Sequence, residues 1–411
     1  MRIFSPLRHK PIARLWGGLV FSALGDQLYI VALGWVAVGL FGAAAGYLGA
    51  TRAGIIMLAV MFGGGLADRW NRQRTMIAAD LVRALVLAVL VIAWAMTGAP
   101  SAWLLALAVV VLSLAEGFFN PALQTILPVL APERDLLVAT NGLMDSTDRL
   151  ARLIGPGLVA MLGVVVAPIH LFGLDAASFA VSALAVASLT IPAGSAPLPA
   201  IRTGLAAGFV TGVRALRRHR PLAFGFDTAG LMNGAWYATF FLAIPLLIAE
   251  SDRDGAGLGR YGMVIACYGV SNLAGNIWVG SRGLPARPGR QMLVGTAITG
   301  AGMLAVALVG LLDLSASAQG LAIAAASALS GFGGPLRDIP NVALRQMLVA
   351  RTGIAGATRA YLVNSYAGML LTLLMAPTAC DVLGPVVVML ICAAAYGVVV
   401  AYGVVTKVDA D

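Results

Sequence analysis

Along this chain, short polar intervals separate twelve long stretches of mostly apolar residues, at 15–41, 47–66, 76–96, 103–119, 141–166, 169–191, 222–248, 261–279, 292–312, 319–334, 357–377 and 383–405. A bilayer core about 30 Å thick is crossed by about 20 helical residues. The pattern therefore predicts twelve transmembrane helices and an all-α integral membrane protein.

Composition agrees. The chain is 60% hydrophobic and 11% charged, with a mean hydropathy of +0.91, whereas soluble domains carry about 25% charged residues. The net charge of +9 is spread over the polar intervals, which points to membrane topology and away from nucleic acid. Cys267, Cys380 and Cys392 show no metal-binding or disulfide spacing. Neither a metal nor a cofactor is expected. The basic start resembles a signal-peptide flank, but the apolar run after it is too long for one, so helix 1 is expected to be retained.

Arginine and lysine mark the sides. They crowd the N-terminus (Arg2, Arg8, Lys10, Arg14) and the 2–3, 6–7, 8–9 and 10–11 connections, while Arg253 and Arg260 on the opposite side are offset by Glu250, Asp252 and Asp254. Basic segments stay in the cytoplasm, which predicts a multi-pass protein of the cell (inner, cytoplasmic) membrane with both termini cytoplasmic.

The two halves repeat one another. "HKP" at 9–11 returns as "HRP" at 219–221, "GLADRWNRQ" at 65–73 as "GLPARPGRQ" at 283–291, and "GFFNP" at 117–121 as "GFGGP" at 331–335, with offsets of 210, 218 and 214 residues. Transporters are commonly built from such repeats. The expected organisation is a six-helix bundle over 1–191, a cytoplasmic linker over 192–221 ending in an amphipathic basic helix that lies against anionic headgroups, and a second six-helix bundle over 222–411.

The 2–3 connection "GGLADRWNRQRTM" resembles motif A of the major facilitator superfamily at Gly64, Leu66, Ala67, Asp68, Arg69 and Arg72, with Asn71 in place of the usual glycine and Gln73 in place of a basic residue. The stretch from "AEGFFNP" through "MDSTDRLARLIGPG", together with "LGDQLYIVAL" in helix 1, resembles the branch containing enterobactin exporters and macrolide efflux proteins. That resemblance implies two pseudo-symmetric six-helix bundles and efflux. The motif B arginine tied to proton linkage would fall at Ser113, and antiporter motif C keeps Gly155 and Pro156 but has Val159 and Ala160 for its later glycines.

A charge at the bilayer centre costs about 3 kcal/mol on insertion scales, so intramembrane charges are functional candidates. Asp26 lies roughly 20 Å along helix 1 at 1.5 Å per residue. It could exchange a proton or a cationic substrate against Arg52 of helix 2, or form a static pair with it. Glu116 on helix 4 is a second proton-coupling candidate, whereas Asp175 and Asp227 are placed near helix ends, where capping or snorkelling accounts for them. Substrate-binding candidates are Asp26, Tyr29 and Arg52 in the first half and Asn233, Trp236 and Tyr237 in the second; by the HKP/HRP register Trp236 corresponds to Asp26. An acid facing aromatics would suit a large, partly apolar molecule, a cation among them.

In "MDSTDRLARLIGP" the pairs Asp145/Arg149 and Asp148/Arg152 are each four residues apart with the acid first. They form a neutral ladder on what is expected to be one buried face of helix 5. With Asp68, Arg69, Arg72, Gly155 and Pro156, they are candidates for a cytoplasmic gate, a structural staple being the alternative.

The only histidines are His9, His170 and His219, and no HExxH or GxSxG motif occurs, so the chain is not expected to be an enzyme. The leading function is proton-coupled export of an amphipathic organic molecule, a drug or a siderophore, by alternating access. A metal-ion exporter (helix 1 "GDQLY" also resembles ferroportins), a lysophospholipid flippase and a non-transporting receptor or scaffold stay open. The expected partners are a small-molecule substrate, protons and the lipid bilayer, with the protein a monomer.

Overall fold

The computed structural model describes residues 2–66, 71–163, 165–190, 205–350 and 353–409. Its regular structure is helical: α1 (Lys10–Phe41), α2 (Gly46–Leu66), α3 (Arg72–Thr97), α4 (Ala102–Leu130), α5 (Arg134–Leu162), α6 (Pro168–Ala187), α7 (Leu205–Arg217), α8 (Arg220–Ala238), α9 (Ile244–Ser251), α10 (Gly257–Arg282), α11 (Pro288–Val309), α12 (Ala316–Leu348), α13 (Ile354–Leu383) and α14 (Pro385–Val405). A π turn at Thr239–Ala243 joins α8 to α9 as one continuous helix. Apart from the short α7, this gives the twelve membrane-length helices predicted.

Nine stretches among the described residues are long and apolar enough to cross a membrane, one of them, Lys10–Phe62, containing both α1 and α2. The two helices outside that set, α5 and α12, carry internal charge: Asp145, Asp148 and Arg152 in one, Arg337, Asp338 and Arg345 in the other.

The largest departures from the predicted spans follow proline. Helix 4 continues through Pro121 and Pro128, and α12 through Pro335 and Pro340. Proline removes one backbone donor, but in a membrane helix neighbouring groups re-satisfy the freed carbonyls, so the helix continues. Arg345, placed by the sequence in a connection, consequently sits buried in the last turn of α12. At the α13–α14 corner the chain does turn sharply: Gly384 has φ +83°, and Pro385 opens the next helix with its φ already suited to it.

The contacts divide the chain into two units, Met1–Val36 with Leu58–Arg202, and Ala37–Met57 with Thr203–Asp411. In the first, α3 packs against α4 and α6. Leu15, Met76, Phe119, Ile126 and Val186 form the core at one end. Gln73 secures that end by donating to the carbonyls of Val186 (2.9 Å) and Leu189 (2.8 Å) at the close of α6.

In the second unit α12 packs on α10 and α11, α13 on α8, and α11 on α14. Gly230 of α8 and Gly368 of α13 bring their backbones so close that a Cβ on Gly368 would strike the Gly230 backbone. The first turns of α2 belong here too, with Gly46 against Pro377 and Gly49 against Leu373. Asp409 caps α11, accepting from the backbone N–H of Gly289 at 2.7 Å and Arg290 at 2.6 Å.

The amphipathic helix α7 packs against α13, where Gly212 meets Gly356. Arg217 pairs with Asp227 at 3.0 Å, and Tyr402 donates to the same carboxylate at 3.3 Å. This helix docks on protein through its glycine face, because Gly208 and Gly212 leave room for another backbone. Asp227, the eighth residue of α8, is an ion-pair partner and does not cap the helix.

Candidate functional site

Two polar regions stand out, one in each unit. In the first unit, α3 carries Asp80 and Arg83 three residues apart, on one helix face. On the facing helix α6, Asp175, Ser178 and Ser182 recur at helical spacing and share a face in the same way. Asp80 and Asp175 are 0% exposed and Arg83 5%.

Arg83 Nη1 lies 3.5 Å from Asp80 Oδ1. Its guanidinium carbon is 5.1 Å from the ring centroids of both Phe119 and Phe179, so the cation is held between two aromatic faces. Ser178 donates to Asp175 Oδ1 at 3.1 Å. From α1, Gly25 presses against Asp175 and Ser178 so closely that a Cβ there would collide with both. Asp26, the next residue, lies within electrostatic reach of Asp175. Asp175 is therefore a fully buried member of a charged cluster, and neither capping nor snorkelling accounts for it.

In the second unit, α8 presents Trp236 and Tyr237 just before the π turn. Trp236 makes ring contacts with Tyr237 (4.9 Å between centroids), Phe240 (5.4 Å), Phe241 (5.4 Å) and Tyr268 of α10 (5.5 Å). An i→i+5 turn inserts an extra residue, bringing Phe241 round to the side of Trp236, and such turns cluster at functional sites. The Trp236 indole N–H is enclosed and faces the Tyr268 hydroxyl without a close bond. Asn233, one helical turn earlier, donates to Ser365 of α13 at 2.9 Å. On α12, Arg337 is 7% exposed and bonds to Asp338 (3.0 Å) and to Thr228 of α8 (3.2 Å), and Arg345 lies 4.7 Å over the Tyr361 ring.

The structure brings some of the predicted residues together. Asn233, Trp236 and Tyr237 share one region of α8. Tyr29 is buried edge-on against Phe172 at 5.5 Å. Asp26 and Glu116 are half-buried on α1 and α4, and Arg52 is half-buried on α2 within the second unit. Asp68, Arg69 and the side chain of Arg149 lie outside the described residues, and Arg72 is the first residue of α3.

The ladder face of α5 is not buried. Asp145, Asp148 and Arg152 are exposed. The helix packs instead through the row Leu143, Thr147, Ala151, Gly155 and Val159, with Trp16 donating to Thr147 at 2.8 Å and Gly155 meeting Gln27. The apolar and small residues at four-residue spacing took the packing face, and the charges fell on the other. Pro156, beside Gly155, is buried.

Sequence reasoning missed Asp80 and Arg83, although both lie inside the predicted third span. The signal was available as an acid and an arginine three residues apart in the middle of an apolar run.

Twelve membrane-length helices, buried charge in one unit and an enclosed aromatic group in the other define a multi-pass membrane protein of transporter type. The sequence profile of the Major Facilitator Superfamily matches residues 15–358, and the chain belongs to that family of membrane transporters. Macrolide efflux protein A of Streptococcus pyogenes is 25% identical over 243 residues, 58% of this chain and 58% of that protein. Multidrug efflux pump Tap of Mycobacterium tuberculosis is 26% identical over 293 residues, 69% of this chain and 68% of the pump. The match to the macrolide protein thus spans little more than half of that relative's length.

Among solved structures, the nucleoside transporter NupG has a TM-score of 0.72 at 13% identity, covering 97% of this chain and 99% of that one. The POT family transporter PepTSo has 0.70 at 13%, covering 97% and 98%. At that identity the likeness is one of fold.

Proposed function

We propose that this transporter exports an amphipathic organic molecule of drug-like character across the cytoplasmic membrane by alternating access, driven by protons, with both termini in the cytoplasm. The observation that carries this reading is the aromatic group of Trp236, Tyr237, Phe240, Phe241 and Tyr268 gathered at the π turn. It offers several ring faces, the chemistry that holds a large, partly apolar and cationic molecule. Similarity to a macrolide efflux protein and a multidrug efflux pump supports the same substrate class.

In this reading Asp26, Tyr29 and Arg52 contribute to the substrate path with Asn233, Trp236 and Tyr237, and Asp26 and Glu116 take part in proton coupling. Asp68, Arg69, Arg72, Asp145, Asp148, Arg149, Arg152, Gly155 and Pro156 belong to the cytoplasmic gate. The exposure of Asp145, Asp148 and Arg152 on their own unit suits residues that make and break contacts as a gate moves.

The test is accumulation of erythromycin and of ethidium in an efflux-deficient bacterial host. Cells expressing the protein should accumulate less of at least one compound than cells with empty vector, and Trp236→Ala should raise accumulation again at equal expression. Equal accumulation with and without the protein for both compounds contradicts the drug-export reading.

A further inference from the structure

Among the described residues, the polar cluster of the first unit holds more carboxylates than cations. Asp80 and Asp175 contribute two carboxylates, and the one cation among the described groups acting on Asp175 is Arg83. The other charged groups facing Asp175 are acidic, Asp80 on α3 and Asp26 on α1. The packed face of α4 adds the Phe119 ring against Arg83. A buried carboxylate without a counter-charge is strongly disfavoured in an apolar interior.

Hydrogen bonding is incomplete in the same place. Among the described residues, Oδ2 of Asp175 and Nε and Nη2 of Arg83 are enclosed without a hydrogen-bond partner, and Asp80 has the Ser182 hydroxyl facing it without a close bond. Arg83 is not docked as a two-pronged fork on either carboxylate. It meets Asp80 at 3.5 Å through a single nitrogen and is otherwise held by the two aromatic rings.

The fold does not call for these charges. The second unit builds the matching helix pair, α11 on α14, and the buried residues of α11 are glycine, threonine and apolar side chains, with no acid or arginine among them. Burying unpaired acids is costly, so their presence in one repeat alone points to a ligand. Among the described residues no group of three or more acidic, histidine or cysteine side chains converges as a metal site. A single hydrogen supplies both missing elements, a positive charge and a donor.

We propose that Asp80 and Asp175, backed by Arg83 and the hydroxyls of Ser178 and Ser182, form a proton-binding site inside the first unit. One carboxylate takes up a proton to become a neutral acid whose O–H donates within the cluster, and the other stays ionised opposite Arg83. On release, the proton leaves the carboxyl oxygen as H+ and the carboxylate re-forms. Use of this site for coupling rests on the transport reading above; proton binding does not.

The experiment is infrared difference spectroscopy of the purified full-length protein in detergent, without added substrate, between alkaline and mildly acidic buffers in H2O and D2O. The wild type should show the carbonyl band of a protonated carboxylic acid, shifted in D2O, and Asp175→Asn and Asp80→Asn should each lose or displace it. If an Asn variant does not fold, Ser178→Ala keeps every charge, removes one donor to Asp175 and should move the midpoint of the band's pH titration.

The proposal is overturned if the band and its midpoint are the same in the wild type and every folded variant, or if no such band forms. It is also overturned if replacing choline by sodium at constant pH abolishes the wild-type band, which would identify a bound sodium ion. Because no transported compound is present, an intact band beside absent drug export would break the export reading alone. Export without the band would break only this one.

Discussion

The two units are built from repeats of one pattern yet are stabilised differently. In the first, the α3–α6 contact encloses Asp80, Arg83 and Asp175. In the second, the corresponding α11–α14 contact is apolar or lined by hydroxyls: Thr296 and Thr299 are buried and satisfied by their own helix, at 2.8 Å to Met292 and 3.0 Å to Gly295. Elsewhere in that unit helices meet by backbone approach, as at Gly230 of α8 and Gly368 of α13. One fold accommodates both solutions, so the helix pair packs without buried acids, and in the proposal above the acids of the first unit serve proton binding. The aromatic group on α8 is the complementary addition to the second.

Removing the cation from the first unit is the harshest way to break this comparison. Arg83→Ala leaves Asp80 and Asp175 buried with no counter-charge, and loss of one partner of a buried pair costs about 3–5 kcal/mol. Denaturant unfolding in detergent should show a loss of that size, partly relieved at acidic pH as the carboxylates take up protons.

Next in size is a strike at the second unit's own device. Gly368→Val drives a side chain into the Gly230 backbone, and overpacking of this kind costs about 1–3 kcal/mol. Unlike Arg83→Ala, its effect on stability should be independent of pH.

The smallest effect lies outside the membrane, in the Ser251–Gly257 loop. Arg260 bonds Asp252 at 2.6 Å and Asp254 at 2.9 Å. The backbone N–H of Ala256, first, and then Arg260 hold the Asp254 carboxyl below its ordinary value. With the folded value depressed, the stability Asp254 contributes is present in full above the unfolded carboxylate value of about 3.9 and is lost as the pH falls through the folded value. Asp254→Asn should lower the melting temperature slightly at neutral pH, and the difference from wild type should vanish in strong acid.

How much of this was legible in the sequence depended on whether the signal was one-dimensional. The twelve-helix pattern and the family resemblance are read along the chain, and they hold in the structure apart from helix ends. The predicted spans stop short of the ends of α4 and α12 because Pro121 and Pro335 are stop signals in water, whereas these helices continue through them. Asp175 was misplaced because its depth was judged from the near end of its span, whereas its role is set by Gly25 of α1 and Asp80 and Arg83 of α3, contacts between distant segments. Asp145, Asp148 and Arg152 of the expected ladder are exposed, and which face of α5 packs is decided by Leu143, Ala151 and Gly155. The aromatics of α8 were read from local spacing, and the π turn that gathers them was not visible in that spacing.

The central claim is a division of labour, with protons handled in the first unit and the organic molecule in the second. Its most direct test is transport by protein reconstituted in liposomes, comparing ethidium movement driven by a pH gradient with ethidium exchange at equal pH on both sides. The account predicts that Asp175→Asn loses gradient-driven transport and keeps exchange, while Trp236→Ala weakens both by raising the substrate concentration needed for half-maximal rate. Undiminished gradient-driven transport by Asp175→Asn, or an unaltered substrate dependence in Trp236→Ala, would contradict it.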